Sequence, residues 1–395
     1  LSAAVSSAGL PAPNVNLLDR YIFKSVLGSC LAAVALFAFV LLLGNALRDL
    51  LGHLLSGQIH LLTFGWLLAL LVPYAISYAL PMGMLTGVLL TLGRLSADSE
   101  ITAMRAAGLS LSRIARPILL LGVLGATLAL HVNLEAMPRA RVQYHRELAT
   151  AITANPLGFI VPRTFIREFP GFVVYVGEKQ GPVLGDFWLW ELDDQRRVQR
   201  LVRAASGRLD YDEAEHILQL TLTDAQVEVR HEERPEDFTE PPLVGTFGRT
   251  ESVPLRLHAL FSRTSPRLKL KWLTHGDLRA EAARLAAEPV PPGGEAARAA
   301  ELLKVRLTLQ DKFTTAAAVF TFALIGVPLG IRVSRRETSA NLGIAVLLAL
   351  GYYFCTVMVN WLDRHPAWRP DLLLWLPNLL LVLLAWRLFR QLERH

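Results

Sequence analysis

The sequence predicts an α-helical membrane protein with six transmembrane helices and an inserted, mainly β domain. Three observations carry this expectation. Only 19% of residues are charged against 52% hydrophobic, a balance too apolar for a chain that must stay dissolved. The apolar residues are also clustered, with 23 residues free of Lys, Arg, Asp and Glu between Lys24 and Arg48 and 33 such residues between His60 and Arg94. A hydrocarbon core of about 30 Å is crossed by about 20 helical residues, so both runs are long enough. Lastly, one long interval, residues 135–312, separates the apolar runs into two groups and carries strand-like alternation.

The spans fall at about 22–47, 62–93, 117–134, 313–331, 342–361 and 372–389. The first contains the uncharged run Ser25 to Leu47, too long for the apolar region of a cleaved signal, so it is expected to be a retained span. The second exceeds a straight crossing and contains Pro73 and Pro81, which predicts a kink or a projection beyond the bilayer. In the sixth, the uncharged core Leu372 to Trp386 is short and contains Pro377. There Arg387 can snorkel, and Trp375 and Trp386 suit the two interfaces. Cys30 and Cys355 both lie inside apolar runs, which argues against a disulfide framework or a cysteine metal site.

Basic residues at the span ends set the orientation, the long insert being left out because large domains cross largely regardless of charge. One side holds twelve: Arg20, Lys24, Arg94, Arg105, Arg113, Arg116, Arg332, Arg335, Arg336, Arg387, Arg390 and Arg394. The other holds three, Arg48, Arg364 and Arg369. This bias puts both termini in the cytoplasm, and the odd number of crossings before it puts 135–312 outside. The net charge of +6 sits largely at span ends and gives no reason to expect a nucleic-acid partner.

Within the insert, His216 to Thr223 alternates from Leu218 onward, and Gln226 to Arg230 alternates again. Phe172 to Val176 and Phe187 to Trp190 are further strand candidates, with turn signals at Gly181-Pro182 and at Gly207. Several short strands predict a sandwich or open barrel. Asp277 to Ala287 and Glu295 to Leu309 read as helices around a Pro-rich break at 289–294, leading the chain back to the membrane.

The most informative segment is the loop between the second and third spans, residues 96–110. Ile101 and Met104 fall on one helical face, and Asp98, Ser99 and Glu100 fall in a first turn, where acidic groups favour the positive end of the helix dipole. Gly108 supplies a stop. A short helix lying on the membrane face is predicted, and spacing alone also allows an ordinary interfacial connector.

Leu80-Pro81-Met82-Gly83-Met84-Leu85-Thr86-Gly87 through Gly93-Arg94, followed by Ser99-Glu100-Ile101-Thr102-Ala103-Met104-Arg105-Ala106-Ala107-Gly108, resembles the LptF/LptG family of lipopolysaccharide export permeases. Leu18-Asp19-Arg20-Tyr21-Ile22 and Gly326-Val327-Pro328-Leu329-Gly330 look like the same family. The resemblance covers both membrane halves, 1–134 and 313–395, and is weaker over 135–312. It implies a heterodimeric inner-membrane permease, with a second six-helix permease or a second copy of the chain, on a cytoplasmic ATPase dimer. It implies that the loop helix of 96–110 docks into that ATPase, with coupling residues Ser99, Glu100, Ile101, Met104, Arg105 and Gly108. The external domain is then a periplasmic β-jellyroll passing lipopolysaccharide to a periplasmic bridge protein.

Absences narrow the chemistry. No G-x-x-x-x-G-K-[ST] loop is present, so no cofactor is expected in this chain, and the resemblance implies that ATP is bound by a partner ATPase. Neither H-E-x-x-H nor a Cys/His metal spacing occurs. The span cores lack Asp, Glu, Lys and Arg, unlike ion-coupled transporters. Asn360, Asn378 and Thr86 read as helix-packing contacts. Arg48 closes the first span on the external side, where a guanidinium can grip a lipid phosphate through two hydrogen bonds or simply anchor the helix. The competing reading is a non-transporting scaffold or sensor with an envelope-binding β domain, which would bring down neither an ATPase nor a second permease.

Overall fold

The computed structural model describes residues 16–46, 50–55, 59–154, 160–167, 171–193, 197–212, 217–230, 241–249, 253–256, 269–288, 294–332, 338–364 and 369–393. Among the described residues, six helices are long and apolar enough to cross a membrane. The first is Asn16–Asn45 and the second Leu61–Ala97, a 37-residue helix that runs through Pro73 and Pro81 without a break in assignment. The third, Leu111–His131, continues through a π-helical turn, Val132–Ala136, into a helix Met137–Ala154. The fourth belongs to Glu295–Arg332, so the expected helix at Glu295 to Leu309 and the expected fourth span are one 38-residue rod. The fifth is Thr338–Asn360, and the sixth is built from Pro370–Leu373 and Leu376–Glu393. Pro377 sits in the first turn of that last helix, where its missing N–H has no intrahelical partner to lose.

The chain divides into two compact units. One comprises Leu1–Leu43, Val72–Arg139 and Leu273–His395. Its core joins Ile22, Val26 and Cys30 of the first span to Met84, Val88 and Leu92 of the second, Ile114 and Ile118 of the third, and Val319 and Val327 of the fourth. The first two spans meet backbone to backbone: a Cβ on Gly83 would stand 2.7 Å from the Val34 nitrogen, and one on Gly87 2.5 Å from the Cys30 Cα. Small residues allow this approach in an apolar solvent, where dispersion between close-packed helices replaces the hydrophobic drive. Polar contacts add to it. Asn378 is buried and donates to the Thr314 carbonyl at 3.0 Å while accepting from Thr321 Oγ1 at 2.9 Å, the packing role its sequence position predicts. Asn360 bonds the Thr356 carbonyl of its own helix, and Thr86 is buried.

A polar knot marks the π-helical turn. Buried Lys312 donates to the carbonyls of Asn133 at 3.1 Å and of Leu273 at 2.8 Å. Asn133 in turn donates to the Lys312 carbonyl at 3.4 Å and accepts from the Ser77 hydroxyl. A π turn breaks the usual i→i−4 ladder, and here the Lys312 ammonium meets the carbonyl of Asn133 within that turn. Thr274 then starts the return helix His275–Ala287 with a reciprocal capping box to Asp277.

The second unit, Gly44–Leu71 and Ala140–Trp272, contains a seven-stranded antiparallel sheet. Its strands are β1 Thr164–Ile166, β2 Phe172–Gln180, β3 Val183–Leu192, β4 Val198–Asp212, β5 Ile217–Val229, β6 Leu243–Arg249 and β7 Val253–Arg256. They lie in chain order from β1 to β6, and β7 pairs with the other half of the β5 edge that β6 uses. Gly181 turns β2 into β3 with φ 60°. Gly207 corrects the sequence reading: it is no turn but lies inside β4, where a Cβ would press Leu222 Cδ2 at 3.1 Å.

From Ile217 to Val229 the two alternating runs are one strand, β5, while His216 lies outside the described residues and Arg230 follows the strand. Asp224 has φ 51° between the two runs, and the buried positions change parity there, from Leu220 and Leu222 to Ala225. Asp186, with φ 49°, does the same in β3 between Leu184 and Phe187. The ladders place both on one line across the sheet, with Ala205 between them. Each strand therefore skips one residue at this line, and the same face stays apolar on both sides.

Candidate coupling site at the loop helix

The loop between the second and third spans forms the helix Glu100–Ala106. Its start is sharp. Ser99 occupies the left-handed region at φ 61° and makes no side-chain cap, so the turn is set by backbone, with Ala103 N–H bonded to the Ser99 carbonyl at 2.9 Å. Of the three residues expected in the first turn, only Glu100 lies inside the helix, while Asp98 and Ser99 form the bend before it. The end is a Schellman motif. Gly108 N–H bonds the Arg105 carbonyl at 2.9 Å and Leu109 N–H bonds the Met104 carbonyl at 3.1 Å, with Gly108 at φ 84°.

Seven residues cannot hold a helix in water by propensity alone. Burial holds this one. Ile101 and Met104 are 3% and 8% exposed and belong to the core cluster of the first four spans. Together they withdraw two large apolar side chains from water, about 1.5–3 kcal/mol each. Polar ties fix the surroundings: Arg94 donates to Ser25 Oγ at 2.7 Å, Ser96 to the Ile331 carbonyl at 3.4 Å, and Arg105 to the Leu392 carbonyl at 3.4 Å. The Glu100 carboxylate accepts from the Tyr21 hydroxyl at 3.1 and 3.3 Å. Thr102, Ala103, Arg105 and Ala106 are exposed, giving a small-residue surface beside one cation.

The structure thus gathers Ser99, Glu100, Ile101, Met104, Arg105 and Gly108 into one helix and its two ends. Arg48 lies outside the described residues. Sequence reasoning missed Tyr21 and Leu392 as partners of the helix. Tyr21 lies 79 positions from its partner Glu100, so no local spacing reveals the contact.

The family model for "Lipopolysaccharide export system permease LptF/LptG" matches residues 20–391. The chain belongs to the LptF/LptG family. Among curated relatives of this family, the lipopolysaccharide export system permease protein LptF of Escherichia coli strain K12 is 29% identical over 196 residues, covering 49% of this chain and 53% of that protein. LptF of Shigella flexneri matches to the same extent. LptG of Haemophilus influenzae is 25% identical over 209 residues, covering 52% of this chain and 57% of that protein. The chain spans about half the length of the curated relatives it matches. This LptF/LptG-family chain thus resembles named members of both types.

Proposed function

We propose that this chain is a permease subunit of an ATP-driven lipopolysaccharide exporter of the inner membrane, moving lipid outward toward a periplasmic bridge protein. The observation that carries the coupling part is the seat of the loop helix. Its buried side joins the core of four spans while its other side is exposed, so a partner pressing on Glu100–Ala106 displaces spans rather than a loose loop. Family membership and the printed names of the relatives support the substrate class. ATP is held by a cytoplasmic ATPase dimer, and the other half of the pore is a second six-helix permease or a second copy of this chain. The coupling residues are Ser99, Glu100, Ile101, Met104, Arg105 and Gly108, and Arg48 grips an anionic group of the lipid at the outer end of the first span.

Affinity purification from the native membrane tests this reading. A transporter half brings down a Walker-motif ATPase and a permease partner, and exposed Thr102→Arg or Ala106→Arg sheds the ATPase while leaving the permease partner bound. Recovery of the chain without any ATPase, in a detergent that keeps the permease pair together, contradicts it.

A further inference from the structure

The carboxylate assigned to coupling is held by a residue of the first span. Tyr21 places its hydroxyl 3.1 Å from Glu100 Oε2 and 3.3 Å from Oε1. An ionised carboxylate only accepts, so the phenol is the donor. Arg94, the nearby cation on the second span, instead donates to Ser25. Among the described residues, Tyr21 is the side chain that reaches the Glu100 carboxylate.

This bond contributes little to holding the fold. Tyr21 is 42% exposed, and water competes for both partners. Its geometry does more. Tyr21 precedes Ile22, which is fully buried in the core that also holds Ile101 and Met104. Further along the same helix, Cys30 and Val34 are pressed against Gly87 and Gly83. Rotation of the first span against the second must therefore carry the Tyr21 hydroxyl away from Glu100 or turn the carboxylate with it.

We propose that Tyr21 is a positioning residue for Glu100, aiming its carboxylate at the ATPase and passing movement of the first span to the loop helix. The proposal rests on the coupling role given to Glu100 above. It makes the first span a direct reporter to the energy-supplying partner, through one hydrogen bond added to the packed core beneath the loop helix.

The test uses the complete permease–ATPase complex in proteoliposomes loaded with lipopolysaccharide, reading lipid released per ATP hydrolysed. Tyr21→Phe deletes one exposed oxygen and keeps the ring, so the packing is retained. It is expected to lower the ratio by roughly three- to tenfold, the range for losing one ordinary, water-exposed hydrogen bond. Glu100→Gln is expected to lower it as well, and the double variant to be no worse than Glu100→Gln alone, because the carboxylate that Tyr21 positions is already gone from it. Tyr21→Leu distinguishes packing: positioning predicts the same ratio as Tyr21→Phe, whereas a structural ring predicts a further loss. A wild-type ratio for Tyr21→Phe, losses that multiply in the double variant, or a larger deficit for Tyr21→Leu overturns the proposal and leaves the role of Glu100 standing. A wild-type ratio for Glu100→Gln instead removes the coupling reading itself, and this proposal with it.

Discussion

Ser99 turns the chain from the second span into the loop helix with a backbone that non-glycine residues rarely adopt, φ 61°. The left-handed region costs an L-residue about 1–2 kcal/mol, most for β-branched side chains. Ser99→Val is therefore expected to lower the stability of the purified permease by about 1–2 kcal/mol relative to Ser99→Gly, which tolerates this φ. Equal thermal midpoints for the two variants in one detergent would show that the bend relaxes without strain. One position later, Glu100→Ala is expected to leave the permease assembled while lipid release per ATP falls about tenfold, within the range of a coupling free energy of a few kcal/mol. Unchanged release at normal expression removes Glu100 from the mechanism. Most of this site was legible in sequence because it is local: Ile101 and Met104 share a face at a spacing of three, and Gly108 announces the stop. The left-handed Ser99 and the Tyr21 contact were not. One depends on a backbone choice that serine does not advertise, the other on two spans packing side by side.

At the scale of elements, the glycines of the second span set how closely the first approaches. A side chain at Gly87 would meet the Cys30 Cα at 2.5 Å, whereas one at Gly28 meets nothing within 4 Å. Gly87→Leu is therefore expected to force the spans apart and destabilise the permease by about 1–3 kcal/mol or more, the scale of overpacking. Gly28→Leu serves as the matched control, and indistinguishable melting of the two would refute the close contact. In the sheet, the line through Asp186 and Asp224 explains why strand patterns read from sequence broke where they did. Period-2 reasoning assumes that every residue rotates the pleat by the same amount, and a left-handed residue violates that assumption, so β5 looked like two strands. Gly207 misled for a related reason: glycine marks a turn or a crowded strand interior, and only the partner Leu222 decides which. Asp224→Val is expected to destabilise the sheet by about 1–2 kcal/mol while Asp224→Gly does not, from the same left-handed cost. Urea unfolding followed by tryptophan fluorescence reads the difference, since Trp188 and Trp190 lie in the same sheet on β3, separated from β5 by β4, and stack at 5.7 Å.

For the whole molecule, the six spans were legible because a bilayer demands about 20 apolar residues per crossing. The helical extension Met137–Ala154, by contrast, carries ordinary soluble-helix composition and no such signature, whereas the helix read at Glu295 to Leu309 is present and continuous with the fourth span. The bias of twelve basic residues against three predicts which face is which. In a Cys355→Ser background, Glu178→Cys in β2 is expected to react with a membrane-impermeant maleimide from outside intact spheroplasts, and Thr102→Cys only after lysis. Labelling of both from the same side would end the six-span topology. The central claim is that this chain transmits ATP hydrolysis through its loop helix to lipid movement. It is tested most directly by lipopolysaccharide release from proteoliposomes containing the permease pair and its ATPase, with an acceptor protein in the bath. The account predicts ATP-dependent release that Glu100→Ala reduces about tenfold while the complex stays intact. Equal release with and without ATP, or full release by Glu100→Ala, would contradict it.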